Sequence, residues 1–142
     1  MLVALAEAEA AGERGEVPVG AVIVAGDEVL ASAGNRTREL ADPTAHAEML
    51  AIRAACAALR SERLAEADLY VTLEPCPMCA AAISFARIRR LYFGAGDPKG
   101  GGVEHGPRIF SQPSCHHAPE VYGGIAEARS ARLLQAFFAR RR

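Results

Sequence analysis

The chain has no tryptophan, four cysteines and almost no net charge. Half its residues are apolar, so without tryptophan a core must be built mostly from Ala, Leu, Val and Ile. A formal net charge of −1 gives no global attraction for a polyanion. No uncharged apolar run approaches the roughly 18 residues of a membrane span, which excludes a spanning helix. The start, Met1-Leu2-Val3-Ala4-Leu5-Ala6-Glu7, lacks a basic segment and meets a charge too soon for a signal peptide. With no secretory signal, the four cysteines favour metal or redox use in a reducing compartment over a disulfide framework. A soluble cytoplasmic protein without membrane association is expected. Internal repeats and low-complexity linkers are also missing. At 142 residues, one domain covering 1–142 is expected, large enough to bury about 68–70% of its unfolded surface.

The charge that is present is unevenly placed. Residues 1–86 carry six Arg against thirteen acids, a net of −7. Residues 87–142 carry nine Arg and one Lys against four acids, a net of +6. Such asymmetry fits a basic face for a polyanion, and equally fits charges that pair within the fold.

Hydrophobic patterning predicts helix over 1–14, strands over 20–25 and 29–33, and a helix from 42–44 to about 60. The spacing of Met49, Ile52, Cys56 and Leu59 places them on one apolar face of that helix. A strand follows over 68–73, then a helix through 78–88 that is apolar nearly all round and so expected to be buried on most sides. Residues 90–94 read as strand, and 94–107, with six Gly and two Pro, as loop. One helical turn over 108–112, a short strand at 120–122 and a final helix over 125–142 complete the chain. In that last helix Leu133, Leu134, Phe137 and Phe138 share a side. The order predicts an α/β fold, a three-layer α/β/α sandwich around a mixed sheet of about five strands, parallel after an opening hairpin.

Two stretches carry chemistry. Pro43-Thr44-Ala45-His46-Ala47-Glu48 and Glu74-Pro75-Cys76-Pro77-Met78-Cys79 each open a predicted helix, at the carboxyl ends of strands where sites on such sheets collect. Cys76 and Cys79, three apart at a helix start, share a face, and the helix N-terminus favours their thiolates. Alone, this pair also fits a thioredoxin-like redox site or half of a structural zinc site. His46 adds a third donor, and Cys₂His is a catalytic zinc set that leaves a fourth position for an acidified water. Glu48 lies two residues on and reads as a proton carrier beside the metal rather than a ligand. An acid placed only by the helix dipole reads the same way. A structural site would need a fourth ligand, from Cys56 or from Cys115, His116 or His117.

The pairing of His-x-Glu with Pro-Cys-x-x-Cys resembles the zinc-dependent cytidine/deoxycytidylate deaminase superfamily. The resemblance extends to the bacterial tRNA-specific adenosine deaminases within it. It runs through Glu16-Val17-Pro18-Val19-Gly20-Ala21-Val22, Gly34-Asn35-Arg36, residues 42–48 and 69–79, and Phe93-Gly94-Ala95 with Asp97 and Lys99. It ends in Phe137-Phe138-Ala139-Arg140-Arg141-Arg142.

This resemblance implies hydrolytic conversion of a wobble adenosine in a tRNA anticodon stem-loop to inosine, by a homodimer with one Zn²⁺ per subunit. Carried over, His46, Cys76 and Cys79 bind zinc and Glu48 shuttles protons. Asn35 matches a position that binds the flipped purine, and Asp97, Lys99, Phe138 and Arg140 fall in segments that meet the anticodon loop. The run Gly100-Gly101-Gly102-Val103-Glu104-His105-Gly106 departs from the pattern of many members, and the amino terminus is short. Two rivals remain at this stage: a deaminase of free guanine or cytosine, and a non-catalytic zinc-stabilised RNA-binding module.

Overall fold

The computed structural model describes residues 1–141; Arg142, the last of the basic ending, lies outside the described residues. The elements are α1 (Leu2–Glu13), β1 (Gly20–Ala25), β2 (Glu28–Gly34), α2 (Ala47–Leu59), β3 (Asp68–Leu73), α3 (Pro77–Phe85), β4 (Arg90–Ala95), β5 (Glu120–Tyr122) and α4 (Glu127–Ala139). A 3₁₀ turn at Ile109–Ser111 precedes β5. The strands form one mixed sheet in the order β2-β1-β3-β4-β5. β1 is antiparallel to both β2 and β3, whereas β3, β4 and β5 are parallel.

Strand alternation separates the two faces. Ala21, Ile23, Leu69, Val71, Leu91 and Phe93 point to one side, where Ala47, Ala51, Ile52 and Ala55 of α2 and Ala80 and Ile83 of α3 complete the core. On the other side α1 lies over β1 and β2, and α4 over β4. The close approach of α1 depends on Gly20, where a Cβ would strike the backbone of Ala4 and Ala8. Tyr70, Tyr92 and Tyr122 stack in a row across β3, β4 and β5 on this second face. The result is the expected three-layer α/β/α sandwich.

The topology decides where the two motif helices begin. Because β2 and β3 both oppose β1, they run in the same direction, and the helices that follow them start at the same edge of the sheet.

Several local expectations need correction. α2 starts at Ala47 with His46 as its N-cap, not at 42–44. The Asp42 carboxylate instead accepts the Thr44 N–H (2.8 Å) and hydroxyl (2.7 Å), closing a turn before the helix. The buried stripe of α2 is Ala47, Glu48, Ala51, Ile52 and Ala55, because small residues let the helix lie close to the sheet. Leu59, assigned to that face by spacing, is exposed. α3 is shorter than 78–88: it stops at Phe85, and Arg87 at φ 62° turns the chain away. Its residues are otherwise buried or half-buried, as expected, but Phe85 at its end is 71% exposed. In α4, Phe137 is buried but Phe138 is 49% exposed.

Candidate active site

The chain brings His46, Cys76 and Cys79 together at the shared sheet edge. His46 caps α2 and Cys76 caps α3, both in extended backbone conformation, so their side chains project past the first helical turns. Pro77 at the first position of α3 suits a residue whose missing N–H costs nothing there. Cys79 sits one turn inside α3 and is fully buried. The His46 Nδ1 lies 3.6 Å from the Cys76 sulfur and 3.5 Å from the Cys79 sulfur.

These distances test the fit of a zinc ion. Bonds of about 2.3 Å to sulfur and 2.0–2.1 Å to nitrogen, at tetrahedral angles, separate nitrogen from sulfur by about 3.5–3.6 Å. The His46–cysteine spacings agree with this, and a zinc ion fits the set. All three donor atoms lie within 4.8 Å of one another, and among the described residues no other Cys, His or acidic side chain joins the group.

Electrostatics favour the same occupant. The Cys79 thiol hydrogen-bonds to the Cys76 sulfur and, with His46 assisting, holds Cys76 down to about 4. The same bond, together with burial, pushes Cys79 upward. The bond to Cys76 also raises His46, against the opposing effect of burial. Without a metal, the cluster therefore shares protons among its donors. A divalent cation that displaces them is offered two thiolates and an imidazole.

Glu48 is buried, at 4% exposure, at the start of α2. Burial pushes its carboxyl up to about 7, and the nearby Cys76 thiolate adds to the rise. A carboxyl near neutrality can both take and return a proton at physiological pH. Glu48 lines a cavity of about 290 Å³ with His46, Cys76, Asn35, Thr37 and Asp97. Asn35 is 7% exposed, its backbone N–H donating to Val19 O and its side-chain amide to Thr37 Oγ1 at 3.4 Å.

The cavity adjoins a groove of about 1020 Å³, lined by Asp97, Lys99, Leu134, Phe138 and Arg141 among others. Val17, Leu73 and Asp97 line both spaces. Of the remaining residues singled out in sequence, Asp97, Lys99 and Phe138 therefore reach this groove. Arg140 does not: it caps the end of α4 and is exposed. Arg141 takes the place beside the groove, its guanidinium 3.8 Å from the Phe137 ring centroid and its Nη2 donating to Gly15 O at 3.3 Å.

Cys115, His116 and His117 are not near the three donors. Cys115 contacts the Ser84 hydroxyl at 3.4 Å, and the His117 Nε2–H donates to Ile88 O at 2.7 Å. Both partners lie at or beyond the carboxyl end of α3, away from the metal ligands at its start. Cys56 is a partly buried residue on α2, outside the cluster.

Two buried carboxylates were missed by sequence reasoning. Glu16 accepts the N–H groups of Arg38 and Glu39, on the loop after Asn35. Glu74 accepts N–H groups from Asp97, Val103, Glu104 and His105, and the His105 imidazole. Burial alone would raise the Glu74 pKa, but these donors hold it below the ordinary carboxylate value. The available signal was an acid directly before the cysteine segment of a chain that also has a glycine-rich loop.

Comparison with known proteins gives this geometry a family. The cytidine and deoxycytidylate deaminase zinc-binding region matches residues 1–95, a span that contains His46, Glu48, Cys76 and Cys79. The chain belongs to the cytidine and deoxycytidylate deaminase family. Zinc is thus the ion indicated both by the donor set and by the family. Within this deaminase family, the chain is 68% identical to the tRNA-specific adenosine deaminase of Agrobacterium fabrum, over 100% of this chain and 93% of that protein. A solved structure from biochemical and structural studies of A-to-I editing by tRNA:A34 deaminases superposes with a TM-score of 0.93 at 69% identity. It covers 94% of this chain and 97% of the other. The guanine deaminase of Bacillus subtilis is more distant, with a TM-score of 0.66 and 31% identity over 97% of this chain and 88% of the other.

Proposed function

We propose that this chain converts the wobble adenosine of a tRNA anticodon to inosine by zinc-dependent hydrolysis. The observation that carries this reading is that a small cavity holding the zinc donors and Glu48 adjoins a much larger groove, the two sharing Val17, Leu73 and Asp97 in their walls. A single base turned out of an RNA loop fits the cavity, while the flanking nucleotides lie along the groove. A free-base deaminase has no use for such a groove. The relationship to a named tRNA-specific adenosine deaminase across the whole chain supports the same substrate.

His46, Cys76 and Cys79 hold the zinc in this reading. When bound, zinc lowers the pKa of water and so makes a nucleophile available near neutral pH. Glu48 removes a proton from the attacking water and passes it to the purine ring nitrogen, then takes the remaining proton of the hydroxyl added at the ring carbon and delivers it to the amino group, which leaves as ammonia. Its burial suits both directions of transfer, since desolvation raises the carboxyl above its ordinary value and makes it a better base and a usable acid. Asn35 hydrogen-bonds the purine edge. Asp97, Lys99 and Phe138 meet the RNA backbone and flanking bases.

The whole chain, 1–142, acts as one deaminase domain in the cytoplasm and pairs as a homodimer. The exposed Phe85 at the end of α3 supports pairing. No helix among the described residues is long and apolar enough to cross a membrane.

The test is deamination by the zinc-loaded protein of four substrates: an anticodon stem-loop with wobble adenosine, free adenosine, guanine and cytosine. Inosine in the stem-loop, with little or no reaction of the free compounds, is expected. Reaction of guanine or cytosine but not of the stem-loop would overturn the proposal, and ammonia release from none of them would favour a non-catalytic zinc protein.

A further inference from the structure

Glu74 is 2% exposed and sits immediately before the segment that carries Cys76 and Cys79. Its Oε1 accepts the Asp97 N–H at 3.0 Å and lies 2.6 Å from the His105 Nδ1. Its Oε2 accepts the N–H groups of Val103 (3.1 Å), Glu104 (2.9 Å) and His105 (3.1 Å). A carboxylate offers about four acceptor positions, so five donors saturate it. Glu74 therefore has no free oxygen for a metal, a proton transfer or a substrate, although it borders the cavity.

We propose that Glu74 is a positioning residue that clamps the 97–105 loop into a wall of the cavity, and that this clamp sets how tightly an RNA substrate is held. The substrate class rests on the function proposed above. The clamp rests on geometry.

Three observations support it. The loop contains Gly100, Gly101, Gly102 and Gly106 in or beside it and has no regular secondary structure, so ordering it is entropically costly and needs a local partner. The loop and the carboxylate are fitted to each other: a Cβ on Gly101 would collide with the Glu74 carboxylate and come within 2.6 Å of Asp97 O. The loop is also tied to the cysteine segment, because the Gly102 N–H donates to Pro75 O at 2.8 Å.

The clamp has a direct route to substrate. Asp97 and Gly100 line the cavity, and Asp97 and Lys99 line the groove. The Asp97 carboxylate in turn accepts the N–H groups of Lys99 (3.2 Å) and Gly100 (2.9 Å), so placing Asp97 also places Lys99. Releasing the Asp97 amide from Glu74 loosens all three residues while the zinc donors keep their own helix starts.

The experiment compares wild type with Glu74→Gln, both full-length and zinc-loaded. A glutamine presents an N–H₂ group to a site built wholly from donors. Amide hydrogen exchange is expected to show loss of protection at Asp97, Val103, Glu104 and His105, with protection elsewhere unchanged. Zinc content is expected to match wild type. On the stem-loop, KM should rise about tenfold or more, the effect of losing one or two charge-assisted hydrogen bonds, with kcat within about threefold. Gly101→Ala leaves the carboxylate intact but displaces the loop from it, so it should reproduce the pattern and serves if Glu74→Gln does not fold. Glu74→Asp should restore part of the protection and part of the affinity.

Unchanged exchange at the four amides in both Glu74→Gln and Gly101→Ala overturns the clamp. Loss of zinc, or a fall in kcat with KM unchanged, overturns the positioning role. If wild type fails to deaminate the stem-loop, the proposed substrate is wrong, and the exchange measurement still decides the clamp.

Discussion

The His46 Nδ1 lies 3.5 Å from the Cys79 sulfur, although 33 residues separate them in the chain. That contact requires α2 and α3 to begin side by side, and it gives the site its first test. Purified protein should contain one zinc per chain by elemental analysis. Loss of a group that only hydrogen-bonds to a metal ligand typically weakens metal binding about 10- to 100-fold, so removing a ligand itself in His46→Ala or Cys79→Ala should cost more. Chelation should lower the Tm of wild type. Full zinc occupancy in either variant would contradict the ligand assignment.

Glu48 borders the cavity without belonging to the donor cluster. Glu48→Ala should therefore keep zinc while turnover falls about 10²- to 10⁴-fold, the range for loss of a general acid–base. Zinc analysis and single-turnover deamination on the same preparation check both halves. Near-normal turnover in the alanine variant would end the proton-carrier assignment.

The end of the chain separates two adjacent arginines. Arg141 stacks on Phe137 and lines the groove, whereas Arg140 is exposed and outside it. Removing residues 139–142 should weaken stem-loop binding and flatten its salt dependence. Each lost phosphate contact should reduce the slope of log K against log salt by about 0.7 for single-stranded RNA. Arg141→Ala should reproduce much of the effect and Arg140→Ala little of it. Binding titrations at several salt concentrations would show the difference, and truncation without effect would remove the tail from the RNA site.

Phe85 is 71% exposed at the end of α3, beside the partly exposed Ala81 and Ala82. An exposed phenylalanine in such a setting suits a subunit contact. Sedimentation should find wild type dimeric, and Phe85→Asp should raise the dimer dissociation constant about 30-fold or more, since a hot-spot aromatic contributes about 2 kcal/mol or more. A dimer of unchanged strength in the variant would place the interface elsewhere.

Residue types and their short-range order determined much about this protein. Short β-branched and apolar runs bounded by turn residues specify the first four strands, and Gly-Asp between the first two specifies the hairpin. Cys76, Pro77 and Cys79 specify a donor pair at a helix start whatever the surrounding fold, because their spacing alone puts both sulfurs on one face. His46 and Glu48 were legible as candidate chemistry for the same local reason.

Only the tertiary structure decided what these residues meet. The antiparallel pairing of β1 with β3 as well as with β2 puts two distant helix starts at one edge, and no local pattern encodes the pairing of β1 with β3. Burial by the rest of the chain, not helix position, pushes Glu48 up to about 7. The exposure of Phe85 at the end of the otherwise buried or half-buried α3 was not legible, because an apolar composition does not say what covers each residue. Glu74 was invisible for a complementary reason. Its partners are mostly backbone amides 23 to 31 residues away, and main-chain donors carry no sequence signature.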